Sequence, residues 1–198
     1  MFNRLIPGML RLFLALEGIA IILAGMQSDS DLTVFFQHAA RLTGRVSLFA
    51  FSVLLVYVTL NPRFERDTDT FRHKSVLFRD FAIVHVIHGF FLAVAVYLAP
   101  FELIPLRVAG GAIAYIFIVG MPFLLQRLTV QEPLLVAAQG IYLLWVWLVF
   151  VMTYRARLAG ETPTSTGTPA EWLPLYTFVL GLMIWRLGYT FWYRLKQR

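Results

Sequence analysis

The apolar positions of this chain fall into six long runs: Met9–Met26, Thr43–Leu60, Phe81–Leu98, Val108–Leu125, Leu134–Tyr154 and Trp172–Tyr193. Each is about 18–22 residues, the length a helix rising about 1.5 Å per residue needs to cross about 30 Å of hydrocarbon. Period-two alternation, the mark of a membrane barrel strand, is absent. In lipid that leaves helices as the way to satisfy the backbone. The expected fold is therefore all-α: a polytopic membrane protein with a six-transmembrane-helix bundle forming a single domain over residues 1–198. The first run contains Glu17 and lacks a small-residue cleavage site, so it reads as a span and not as a signal peptide.

The polar stretches between the runs differ in character. Asn61–Asp80 mixes both charge signs and reads as a charged cytoplasmic loop. Ala159–Glu171, rich in Thr, Pro and Gly, reads as a flexible outer loop. Residues 31–42 (DLTVFFQHAARL) predict a short interfacial helix. Ser30 or Asp31 can cap it, and Leu32, Phe35, Phe36 and Ala39 share one face. Trp172, Trp192 and Tyr193 sit at span ends, as interface anchors do. Glycines 110, 111 and 120 predict close helix contact in the fourth span. No internal repeat is visible, which counts against a transporter.

Composition supports the membrane reading. The chain has 198 residues, 59% hydrophobic and 14% charged, against about 25% charged in soluble domains. One bundle uses up the chain, so no second soluble domain is expected. With no cysteine, thiol catalysis, disulfides and Cys-ligated clusters are excluded. The net charge of +6 is informative by position. Arg4, Arg11, Arg63, Arg66, Arg72, Lys74, Arg79, Arg127, Arg194, Lys196 and Arg198 fall on one side of the six spans. Arg41, Arg45, Arg107, Arg155 and Arg157 fall on the other. The excess of positive charge places both termini in the cytoplasm and suits a bacterial inner membrane. Basic residues used for topology give no support to nucleic-acid binding.

Ionisable groups within spans are costly and mark candidate sites. They are Glu17, His85, His88 and Arg186, joined by Gln139. Counted from the span ends, His85, His88, Gln139 and Arg186 are expected in the inner half of the bilayer, with Glu17 nearer the middle. Such a layer suits a quinone or lipid-headgroup site, a proton path or a cofactor pocket. Each member also has a structural reading. The histidines and Gln139 can be interhelical hydrogen-bond partners, Glu17 a neutral carboxyl bonded to a neighbouring helix, and Arg186 a side chain reaching for headgroups. HExxH, DxxD and Ser-nucleophile motifs are absent. Asp80 is the carboxylate closest to the histidines, which argues against a metal site.

The segment RLTGRVSLFAFSVLLVYVTLNPRF (Arg41–Phe64) couples a Thr-Gly-Arg start to a Pro-Arg exit. It resembles the second helix of ferric-reductase-like transmembrane proteins. RHKSVLFRDFAIVHVIHGFFLAVAVYL (Arg72–Leu98) is similar to their third helix, which carries a histidine after a basic cytoplasmic approach. The resemblance covers about a quarter of the chain and implies b-type heme between histidines of helices three and five. Here helix five has Ala138 and Gln139 ahead of Tyr142 and no histidine. His85 and His88, three apart, face the same side and cannot both ligate one iron. His38 and His73 lie too far away.

Three functions follow. The first is an accessory or partner-binding membrane subunit on this scaffold that has lost the bis-histidine heme sites. The second is a heme b electron-transfer subunit using His85 or His88, with Met121, Met152 or Met183 as second ligand, or with heme shared with another subunit. There Arg186 would contact a propionate or quinone. The third is a small transporter or lipid-modifying protein.

Overall fold

The computed structural model describes residues 6–62, 69–98, 105–127, 132–160 and 168–196. A 3-10 turn at Ile6–Gly8 leads into six helices: α1 Met9–Met26, α2 Leu32–Leu60, α3 Asp69–Leu98, α4 Pro105–Arg127, α5 Glu132–Leu158 and α6 Pro169–Lys196. No strand occurs among the described residues. Four helices, α1, α2, α3 and α5, are long and apolar enough to cross a membrane. The apolar stretch described in α4 runs over Ala109–Leu125. In α6 the apolar residues are diluted by Thr, Tyr, Gly and Arg186.

Three segments depart from the sequence expectation. The interfacial helix expected at 31–42 is helical but not separate, because α2 runs unbroken from Leu32 to Leu60. No Gly or Pro interrupts residues 32–43, and the Thr43 hydroxyl turns back to the Ala39 carbonyl at 2.8 Å within the helix. Its cap is Asp31, whose Oδ1 accepts from the Thr33 and Val34 amides at 2.7 and 3.1 Å. Ser30 instead takes a left-handed φ of 69° in the turn.

The loop expected at Asn61–Asp80 is helical from Asp69 onward; residues 63–68 lie outside the description. The reason is an apolar stripe at helical spacing. Leu77, Phe78 and Phe81 are buried in line with the span that follows, and Phe71 packs against the same core. Lys74 and Asp80, assigned by sequence to a solvated loop, are both buried. Of the outer loop at Ala159–Glu171, residues 161–167 lie outside the description, and α6 takes over from Pro169.

α2 is the hub. It packs most extensively against α3, and it also meets α1 and α6. α4 bridges α3 to α5, and α5 pairs with α6. The contacts Tyr57–His73, Phe51–Phe81, Ser47–His85 and Thr43–His88 follow one antiparallel register along α2 and α3. α3 and α5 run parallel through Phe78–Tyr142 and His85–Phe150. α5 and α6 run antiparallel through Trp147–Val179 and Tyr154–Trp172. Together these contacts give every polar group a level along the bundle axis.

Candidate functional site

The polar residues of α2 and α3 meet as a seam. Thr43 and Ser47, one turn apart, lie opposite His88 and His85. The Ser47 hydroxyl is 2.6 Å from His85 Nδ1, and the Thr43 hydroxyl is 3.2 Å from His88 Nδ1. An imidazole desolvated in this way needs a partner at the cost of a lost hydrogen bond. Here a short hydroxyl supplies it without bringing charge. Gly44 makes room: a Cβ there would lie 3.0 Å from His88 Cε1. Gly89 does the same on α3, because the Tyr115 ring occupies the space a Cβ would need. The expectation of close contact at Gly110, Gly111 and Gly120 is thereby corrected. A Cβ at those positions would meet nothing within 4 Å, and the tight glycines are on the other helices.

Aromatic rings close the seam. The His85 ring lies 4.7 Å from Tyr115, 5.4 Å from Phe81, 5.6 Å from His88 and 6.2 Å from Phe150, centroid to centroid. The Tyr115 hydroxyl donates to the His85 carbonyl at 3.3 Å. A heme ligand needs an open slot beside its ring for the macrocycle. Phe81, Tyr115 and Phe150 fill that space around His85, so these residues do not fit a heme there. A second ligand is no better placed. By the α5–α6 and α3–α5 registers, Met183 is level with Leu143 and so with Phe78–Arg79, about 10 Å along the axis from His85. Met152 is 49% exposed on the outside of α5. Met121 sits in a groove between α4 and α5 with Ile116, Phe117, Gly120, Leu124, Ala138, Ile141 and Tyr142. No group of three or more His, Asp or Glu that could hold a metal gathers among the described residues.

The other expected members divide between two levels. Glu17 is buried. The contacts of α1 with α2 at Phe13–Phe49 and Gly25–Phe35 set it level with Thr43–Ser47, in the histidine layer. Neither of its carboxyl oxygens has a hydrogen-bond partner. Gln139 is level with Lys74 by the α3–α5 register, and Arg186 is level with Gly140 by the α5–α6 register. Both stand about 15 Å from His85. Gln139 is buried with its Oε1 unpartnered, and Arg186 is half-buried. The single polar layer read from the sequence is therefore two layers. The reason is that α3 starts at Asp69, well ahead of the expected span start at Phe81, so depths counted from the span ends misplace its histidines relative to Gln139 and Arg186.

His73 stands apart from the seam, as the spacing implied, whereas His38 is nearer than expected, on α2 only about 7.5 Å along the axis from Thr43. His38 Nδ1 is 2.8 Å from Gln27 Oε1. His73 Nδ1 is 3.4 Å from the Tyr57 hydroxyl, on the same unbroken α3 as His85. Trp172 is not a lipid-facing anchor: it is 1% exposed, packed by Tyr154 and overlain by arginines.

Sequence reading missed Thr43, Ser47 and Tyr115 as partners of the histidines. A signal for the first two existed. Thr43 and Ser47 are four apart on a helix, and His85 and His88 are three apart on the next, so each pair marks one face. Tyr115 carried no such mark. Comparison of the chain with protein-family models, with curated proteins and with solved structures found no match.

Proposed function

We propose that this chain is an accessory, partner-binding membrane subunit on a ferric-reductase-like scaffold, whose intramembrane histidines hold helices together and do not hold heme. Its place is a bacterial inner membrane, with six spans and both termini in the cytoplasm, the side favoured by its Lys and Arg residues. One observation carries the reading. His85, 7% exposed, is enclosed by the rings of Phe81, Tyr115 and Phe150, which fill the space a macrocycle would need, while the α2 hydroxyls at both Nδ1 atoms tie α3 to α2. The missing histidine on α5 agrees with it. Gln139, near the corresponding place in sequence, lies at a different level from His85.

An absorption spectrum of the detergent-purified protein, oxidised and dithionite-reduced after expression with ample heme, tests the reading. The expected spectrum has the aromatic band alone. A Soret band that sharpens on reduction, and disappears in a His85→Ala, His88→Ala double variant, would make the chain a heme b electron carrier instead.

A further inference from the structure

At the end of the bundle where α1 and α5 stop and α6 begins, three guanidinium groups meet. Arg41 and Arg45 of α2 share one carboxylate oxygen, Glu171 Oε2, at 3.7 and 3.2 Å. Arg157 of α5 stacks on Trp172 with Cζ 4.5 Å from the ring centroid, and Arg45 lies 5.4 Å from the same centroid. That keeps the Arg45 and Arg157 charges within about 10 Å of each other, a range at which half-buried like charges repel. Among the described residues Glu171 is the one carboxylate ion-paired here, and it reaches Arg41 and Arg45 but not Arg157.

The imbalance extends to hydrogen bonds. Trp172, 1% exposed, has an indole N–H with no acceptor, and Arg45 Nε is likewise buried without one. An indole N–H and a guanidinium can only donate. Donors left buried without acceptors cost free energy, and the cation–π contacts offset only part of the repulsion. Among the described residues, no anion with several acceptor oxygens meets these donors. Planar guanidinium groups from two helices match a tetrahedral oxyanion, which takes more than one N–H at once.

We propose that Arg41, Arg45, Arg157 and Trp172 form a binding site for an anionic phosphate group. The site lies where the α5–α6 hairpin ends, the position along the bundle of a lipid headgroup. A phospholipid phosphate and a soluble phosphate share the chemistry. The proposal is independent of whether the histidines bind heme.

Thermal unfolding of the full chain in neutral detergent tests it. One arm titrates inorganic phosphate at ionic strength held constant with chloride. The other titrates phosphatidylglycerol against phosphatidylcholine in mixed micelles. The wild-type protein is expected to gain a saturable rise in Tm. In Arg157→Gln the apparent affinity should fall about tenfold. Trp172→Phe keeps an aromatic face and removes the N–H; the smaller ring lowers the unliganded Tm at this buried position, so the reading is the phosphate-dependent rise in Tm, which should shrink relative to wild type. A response to both titrants assigns a site for the phosphate group itself. A response to phosphatidylglycerol alone assigns a lipid-headgroup site. No response of the wild type to either, or equal responses in wild type and both variants, overturns the proposal. Should Arg157→Gln fail to fold, Trp172→Phe and the wild-type comparison of phosphate with chloride decide it.

Discussion

The α2–α3 seam and the α5 face near Gln139 both place polar groups in apolar surroundings, yet they treat them differently. In the seam each histidine has a hydroxyl partner, Gly44 makes room for the His88 ring, and Gly89 makes room for Tyr115. On α5, Gln139 Oε1 and the Tyr142 hydroxyl are buried with no partner, and Tyr142 borders an open apolar groove against α4. A satisfied polar pair specifies which helices meet and in what register. An unsatisfied polar group adds no such stability of its own. The contrast separates positions that build the fold from positions available to something outside it, and it makes the same type of substitution predict opposite outcomes in the two regions.

The largest effect is expected at Gly89→Ala. A methyl group there competes with the Tyr115 ring, which must give up its contact with His85, and overpacking of this kind costs about 2 kcal/mol. Thermal unfolding in detergent should show the loss, and the same substitution at Gly110, where space is open, should not. Next comes Ser47→Ala. It strands His85 Nδ1 in a buried site at a cost of about 1–2 kcal/mol, lowering Tm without changing helix content by circular dichroism. Gly44→Ala is expected to cost less, about 1 kcal/mol, because a Cβ there would touch only the edge of the half-buried His88 ring.

The comparison reverses on α5. Tyr142→Phe removes a hydroxyl that has no partner, so stability should hold within about 0.5 kcal/mol or rise slightly. Gln139→Leu should behave alike. Loss of more than about 1 kcal/mol in either variant would show that these groups are satisfied in the folded protein, and the two regions would no longer differ in kind.

The helices were legible because length and apolarity alone set them. Met9–Met26 coincides with α1, and Leu60 ends α2 where Asn61 and Pro62 follow. Their starts were harder to place. Asp69–Asp80 looks like a loop because Arg72, His73, Lys74, Arg79 and Asp80 dominate it, yet Leu77 and Phe78 carry the helical stripe that buries it. Charge content outweighed periodicity in that reading, and periodicity decides the structure. The importance of His85 and His88 was legible from the cost of placing them in a span. Their partners were not, because Thr and Ser in an apolar helix are common and become informative only once α2 and α3 are aligned. The split between the histidine layer and Gln139 with Arg186 followed from the same overhang of α3, which the apolar run alone does not mark. The arginine cluster was hidden for another reason: Arg41 and Arg45 on α2, Arg157 on α5 and Glu171 on α6 are distant in sequence, and only the packing of α2 and α5 against α6 joins them.

The account rests most heavily on His85 being a strut between α2 and α3. A double-mutant cycle of Ser47→Ala and His85→Phe, read by equilibrium unfolding in detergent, measures that directly, since phenylalanine keeps a ring beside Tyr115 while removing the bonding nitrogen. The expected coupling is about 1 kcal/mol, with the double variant more stable than the sum of the single losses. Additivity within about 0.3 kcal/mol would contradict the strut and return His85 to the list of groups held ready for a ligand.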